Sequence, residues 1–235
     1  MSVADRTIDD FLSGVASESV TPSGGAVAAI CGACGAALCE MACIHTIGSD
    51  GSGSDDDSDN SGDSGGSDDS SNSSDGRDDA GRGEITGVRD DLGVHRTRLS
   101  ELADEDVAAV DDLQATFEAS GSETEAGNGG DDEAIARAAK RAVGVPLATA
   151  EACLGALDAA AVVTERANRN VVPDAGTGAF LAYGALRSSV STARHNIGAI
   201  EDATFVAETE RRSDELEAVA GEAIEQVVEN IDAAH

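Results

Sequence analysis

The segment from Ala26 to Gly48, AVAAICGACGAALCEMACIHTIG, restricts the fold of this chain more than any other. Ala28, Gly32 and Ala36 recur every four residues, and so do Ala29, Ala33 and Ala37. In a helix that spacing lines up each trio in a row, and side chains no larger than a methyl group let another helix approach closely along it. Two such rows predict a helix with close neighbours, inside a helical bundle. A membrane span is the rival reading. It is set aside because the side chains are small and Glu40 interrupts before the roughly 20 apolar residues that spanning requires.

Four of the five cysteines, Cys31, Cys34, Cys39 and Cys43, lie in this segment, and the fifth is Cys153. Cys31-x-x-Cys34 has no second pair at zinc-ligand spacing. At about 100° per residue the four directions fan over roughly half the helix circumference, so they do not converge on one ion. They are expected to be small core residues, with no metal bound. Met1 leads straight into polar SVADRTIDD, with no apolar leader, so a reduced cytoplasmic setting is expected.

The chain of 235 residues carries 15 Lys and Arg against 46 Asp and Glu, a formal net charge of −31. Nucleic acid is excluded as a general partner, because a polyphosphate is repelled and too few cations exist to form a basic patch. With no Trp and 2 % aromatics, stacking platforms for bases are not expected either. All but one of the cations are arginine, the exception being Lys140. Residues 49–83 consist almost entirely of Ser, Asp and Gly and cannot offset the entropy of ordering, so they read as a disordered acidic insertion. Removing them changes the net charge only from −31 to −22, so the body is acidic as well. A surface this acidic repels itself in dilute buffer and is relieved when salt screens it, which predicts a halophilic, salt-rich cytoplasm.

Outside the insertion the apolar pattern has helical period. Thr7 followed by Asp10 begins a short amphipathic helix with Ile8, Phe11, Leu12 and Val15 on one face. After the small-residue helix, long stretches run from Thr86 to Ala126 and from Asp131 to Ala167, the second expected to kink or split at Pro146. A helix from Asp174 to Ile197 and a last one from Asp202 to Ile231 complete the set. The fold class is all-α: one domain over residues 1–235, an antiparallel bundle of about six helices with no sheet.

Four places carry possible chemistry. Thr21-Pro22-Ser23-Gly24-Gly25 runs straight into a helix whose free N–H groups, opened by glycine, attract carboxylates, carbonyls or phosphates; an ordinary Ser cap is the plainer reading. Asn168-Arg169-Asn170 leads to Asp174 at a helix start, with Gly176 and Gly178 opening the first turn. Asp106 is placed to face inward among Leu102, Val110 and Leu113. Arg194 and Asn196 near a helix end form a further polar group that the helix dipole also explains.

Together, these segments resemble in order and spacing the cyclodeaminase/cyclohydrolase family, which includes methenyltetrahydrofolate cyclohydrolases and the cyclodeaminase part of formiminotransferase-cyclodeaminase. The resemblance rests on TPSGGAVAAICGACGAALCEMACIHTIG, ADEDVAAV, VPLATAEACLGAL and NRNVVPDAGTGAFLAYGALRSSVSTARHNI, and covers essentially everything but the acidic insertion. It implies an all-helical homodimer holding a tetrahydrofolate derivative in a cleft between subunits, with no tightly bound cofactor. The implied reaction is hydrolysis of 5,10-methenyltetrahydrofolate to 10-formyltetrahydrofolate. Alternatives are closure of 5-formiminotetrahydrofolate with ammonia release, and a non-catalytic folate-binding or helical interaction protein. Carried over, Asp174 is the candidate base or cation stabiliser, and Asn168 and Asn170 orient water and the pterin edge. Thr21, Pro22, Ser23, Gly24, Gly25, Asp106, Gly176, Arg194 and Asn196 are the implied substrate contacts. Ser23 and Ala26 stand where the family commonly has glycine and serine, and Ile44 where it often has Asn.

The charge analysis has a direct test. Thermal melting in molar KCl is expected at a higher temperature than in dilute buffer, and equal melting temperatures contradict the halophilic reading.

Overall fold

The fold is described from a computed structural model over residues 2–49, 75–122 and 129–234. The Thr7 side chain accepts a hydrogen bond from the Asp10 amide and so caps α1 (Ile8–Val15). Of the expected apolar face of α1, Phe11 packs against the core while Ile8, Leu12 and Val15 stay exposed. Ile8 is 80 % and Leu12 58 % exposed, and no residue of this helix is buried. Five further helices follow: α2 (Gly24–Ser49), α3 (Asp75–Ser122), α4 (Gly129–Arg166), α5 (Val172–Asn196) and α6 (Ala203–Ala234). Among the described residues there is no strand.

Helices α2 to α5 form a closed ring of four, each packed on the next and α5 returning to α2, while α6 lies across α4 and α5. The small-residue helix has the close neighbours that its spacing predicts. A Cβ on Gly32 would reach the Cys153 sulfur of α4 at 2.6 Å and Leu99 of α3 at 3.3 Å. One on Gly35 would meet the Gly178 carbonyl oxygen of α5 at 2.5 Å, and one on Gly178 would meet the Gly35 oxygen at 2.6 Å. Helices α2 and α5 therefore touch backbone to backbone, in a contact that no larger residue permits. Cys39, Cys43 and Cys153 fill the same core, and burial pushes their thiols up to about 12, 11 and 12 respectively. They pack as small apolar groups.

Helix α3 begins at Asp75, earlier than expected and inside the run read as insertion; residues 50–74 of that run lie outside the described residues. Extending a docked helix adds one hydrogen bond per residue fixed, far less costly than nucleating one. The Arg82 guanidinium, inside the same run, donates to the Ile47 carbonyl at the end of α2. At its other end α3 outruns the start of α2, leaving Phe117 half exposed. On α6 the buried stripe is Thr209, Ser213, Leu216, Ala220 and Val227, with Val219 and Val228 turned outward.

Pro146 does not split α4, which runs without a break from Gly129 to Arg166. A proline lacks the N–H that would bond the carbonyl four residues back, here Ala142. The Asn196 side-chain amide supplies that bond from α5, donating to the Ala142 carbonyl at 2.8 Å. This partner explains Asn196 without a ligand.

If Asn196 completes what Pro146 leaves open, the two positions are coupled. Asn196→Ala is expected to cost about 1–3 kcal/mol in the wild-type background, the cost of an unsatisfied carbonyl, and much less alongside Pro146→Ala, where residue 146 regains its own N–H. Denaturant melts of the four proteins check this, and equal losses in both backgrounds contradict it.

Candidate active site

At the start of α2 the structure places Asp106 where an incoming anion was expected. Asp106 is 5 % exposed, and its carboxylate accepts from the Ser23 hydroxyl at 3.0 Å and from the Ala26 amide. A Cβ on Gly25 would collide with that carboxylate, so the second glycine of the motif makes room for a side chain of α3. Burial pushes the Asp106 carboxyl above its ordinary range, against the opposing pull of the Ser23 and Ala26 donors. Thr21 donates to Asp111 on the exposed flank at 3.1 Å, and the buried Pro22, reached through a cis peptide bond, lies against Gly14. Gly24 faces open space, since a Cβ added there would have no neighbour within 4 Å.

The second motif lies at the far end of α2. The Asn168 amide donates to the buried Thr46 hydroxyl at 3.0 Å, which pins the loop against the last turns of α2. The Asn168 side chain accepts from the Asn170 amide at 3.0 Å, a local turn that presents Arg169 and Asn170 to solvent. The residue capping α5 is Val171, which offers no side-chain bond, and Asp174 stands exposed in the first turn, where the helix dipole favours a carboxylate. The glycines here face protein: Gly176 is packed on Ile231 of α6 and Gly178 on α2.

Arg194 also has protein partners, the Glu217 and Asp214 carboxylates of α6, each at 2.6 Å. Of the residues singled out from the sequence, Gly24, Asn170 and Asp174 are therefore the ones left open to solvent, while Ser23, Gly25, Asp106, Gly176, Arg194 and Asn196 make contacts inside the chain. Among the described residues no cluster of three His, Cys, Asp or Glu side chains is placed to hold a metal ion.

The two motifs do not meet within one chain. Gly25 and Thr46 are separated along α2 by 21 residues, about 32 Å at 1.5 Å per residue. Surface cavities of about 500–600 Å³ among the described residues lie elsewhere, and neither motif lines them. Between the motifs runs the outward side of α2, where Val27, Cys34, Leu38, Met41 and Ile44 are partly or fully exposed. Glu40 turns aside to pair with Arg96 of α3 at 2.8 Å. Alongside, α5 exposes Thr177, Gly184 and Ser188, with Leu181 half buried. On a chain of charge −31, this is a two-helix face whose one carboxylate among the described residues is Asp174, at its edge.

Comparison with known proteins agrees with this architecture. Residues 7–215 match the family model described as formiminotransferase-cyclodeaminase. The chain is 31 % identical over 241 aligned positions, 97 % of its length and 96 % of the relative's, to a methenyltetrahydrofolate cyclohydrolase of Methylorubrum extorquens. Its fold is similar to the crystal structure of formiminotetrahydrofolate cyclodeaminase from Thermotoga maritima, with a TM-score of 0.77 and 20 % identity over 98 % of each chain. An all-helical bundle with this order of motifs, matched over most of its length, belongs to the formiminotransferase-cyclodeaminase family.

Proposed function

We propose that the chain hydrolyses 5,10-methenyltetrahydrofolate to 10-formyltetrahydrofolate in one-carbon metabolism, at a site that a second copy completes. The observation that carries the reading is the α2–α5 face, on which Asp174 is the one carboxylate among the described residues. Its support from relatives is the cyclohydrolase of Methylorubrum extorquens. An isologous pair presents the same patch twice. Pairing α2 with α2 in antiparallel sense sets the Gly24 end of each protomer beside the Asn168–Asp174 end of the other. A homodimer built this way encloses what one chain leaves open.

The methenyl compound is a cation whose bridging carbon is already electrophilic, so the protein has to place water, stabilise charge and move protons. Asp174 faces the cation from the α5 start and takes the proton of the attacking water. Asn168 and Asn170, on the adjoining turn, orient that water and the pterin edge. Attack of the water oxygen on the bridging carbon gives a tetrahedral adduct; as its hydroxyl loses its proton and becomes the formyl carbonyl, the carbon–N5 bond breaks, N5 keeps the electron pair and takes up one proton, and the formyl group stays on N10. One water is consumed and one proton released. The opposite wall is the open backbone at Gly24, with Thr21 and Pro22 beside it and Ser23, Gly25 and Asp106 holding its shape. Gly176 and the Arg194 and Asn196 contacts fix α5 against α6 and α4, which sets the direction of Asp174. No tightly bound cofactor and no metal enters this scheme.

Asp174→Asn is expected to lower turnover by about a hundredfold or more, the usual contribution of a positioned acid or base, while the protein elutes as the wild type on size exclusion. The assay follows methenyl absorbance in molar KCl, as suits a salt-rich cytoplasm, with ammonia release from 5-formiminotetrahydrofolate measured beside it. Near-normal turnover in the variant contradicts the role of Asp174, and ammonia release by the wild type without methenyl decay reassigns the reaction.

A further inference from the structure

Carboxylates outnumber cations about threefold in this chain, so a guanidinium on its surface has abundant partners. Ten arginines and Lys140 do lie within ion-pair distance of an Asp or Glu. Arg82 is taken by the carbonyl at the end of α2. Among the described side chains this leaves Arg6 and Arg169, whose guanidinium groups have neither an ion pair nor a hydrogen bond.

Their positions are not scattered. Arg169 lies between Asn168 and Asn170, in the turn held by the Asn168 side chain and pinned to Thr46, and it is exposed five residues before Asp174. Arg6 closes the short turn before α1, its amide bonded to the Val3 carbonyl. Its Nη1 lies 3.7 Å from where a Gly14 Cβ would stand, and Pro22 of the first motif lies on the same spot. One free arginine thus stands at each motif. In the antiparallel pair described above, Arg6 of one protomer and the partner's Arg169 flank the same cleft.

We propose that Arg169 and Arg6, one from each subunit, form an anion-binding rim that takes the carboxylates of the substrate's glutamyl tail. This rests on the folate reading of the site and specifies how its tail is held. A tetrahydrofolate ends in a glutamate with two carboxylates, and guanidinium binds carboxylate through paired N–H donors. Long-range repulsion between an anionic tail and a −31 protein is screened within about 3 Å at 1 M salt, whereas direct guanidinium–carboxylate contacts persist. Arg194, the cation that the sequence motifs suggest for this task, is held by Glu217 and Asp214.

The test compares methenyltetrahydrofolate with methenyltetrahydropteroate, which lacks the glutamate, in molar KCl. The readout is the ratio of kcat/KM for the two. Wild type is expected to favour the glutamyl compound, and Arg169→Ala and Arg6→Ala are each expected to lower that ratio about tenfold, through KM. Arg137→Ala changes net charge equally, away from both motifs, and is expected to keep the wild-type ratio. If the two rim variants keep that ratio while the wild type turns over both compounds, the rim is overturned and the hydrolase reading stands. If the wild type turns over neither compound, both are overturned.

Discussion

The rest of the architecture depends on the direct approach of two backbones. Gly35 and Gly178 let α2 and α5 close until the carbonyl oxygen of each lies 2.5–2.6 Å from where a Cβ of the other would stand. That contact fixes the α2–α5 spacing, and with it the position of Asp174 relative to the outward side of α2. It also explains why the core is filled by Ala, Cys and Gly. In a seam this narrow, Leu or Val would force the helices apart, and overpacking a close seam typically costs about 1–3 kcal/mol. Larger side chains, Leu92, Leu99 and Leu102 of α3, Leu157 of α4 and Leu186 of α5, are buried in the rest of the core.

The glycine motif at the start of α2 shows how a site is held without being a ligand contact throughout. Its second glycine accommodates Asp106, which accepts from Ser23 and Ala26 and secures the N-terminus of α2 to α3. Charging a carboxyl at this depth is costly, and the two donors offset part of the cost. What remains open to a ligand is the backbone at Gly24. At the other motif the division is similar: Gly176 and Gly178 serve packing, while Asp174, Asn170 and Arg169 face solvent.

The helix order, the Thr7 cap, the inward turn of Asp106 and the central place of the small-residue helix are legible in the sequence because each depends on local spacing. The course of α4 through Pro146 is not, because the donor that makes it possible, Asn196, lies 54 residues away from the carbonyl it bonds. Arg194 reads as a free cation for the same reason: its carboxylates come from α6, on a part of the chain whose charges look like solvated surface. The glycines read as ligand openings, since sequence does not tell a cleft for substrate from one filled by a neighbouring side chain. Arg169 reads as an ordinary loop cation, although a base left unpaired among so many acids is itself a signal. The exposed Ile8, Leu12 and Val15 of α1 and the outward side of α2 become visible only once the bundle shows what it leaves uncovered.

A cleft shared between subunits makes a demand that a cleft within one chain does not. Gly24→Phe should fill the open space at the α2 start without striking its own chain, and Asp174→Asn should disable the α5 start; each protein alone is then expected to be inactive. When the two are unfolded, mixed in equal amounts and refolded, mixed dimers hold one site with both walls intact, and about a quarter of wild-type activity per protomer is expected to return. If the mixture stays as inactive as its components while forming mixed dimers, the motifs do not meet across subunits, and the account of the site is wrong.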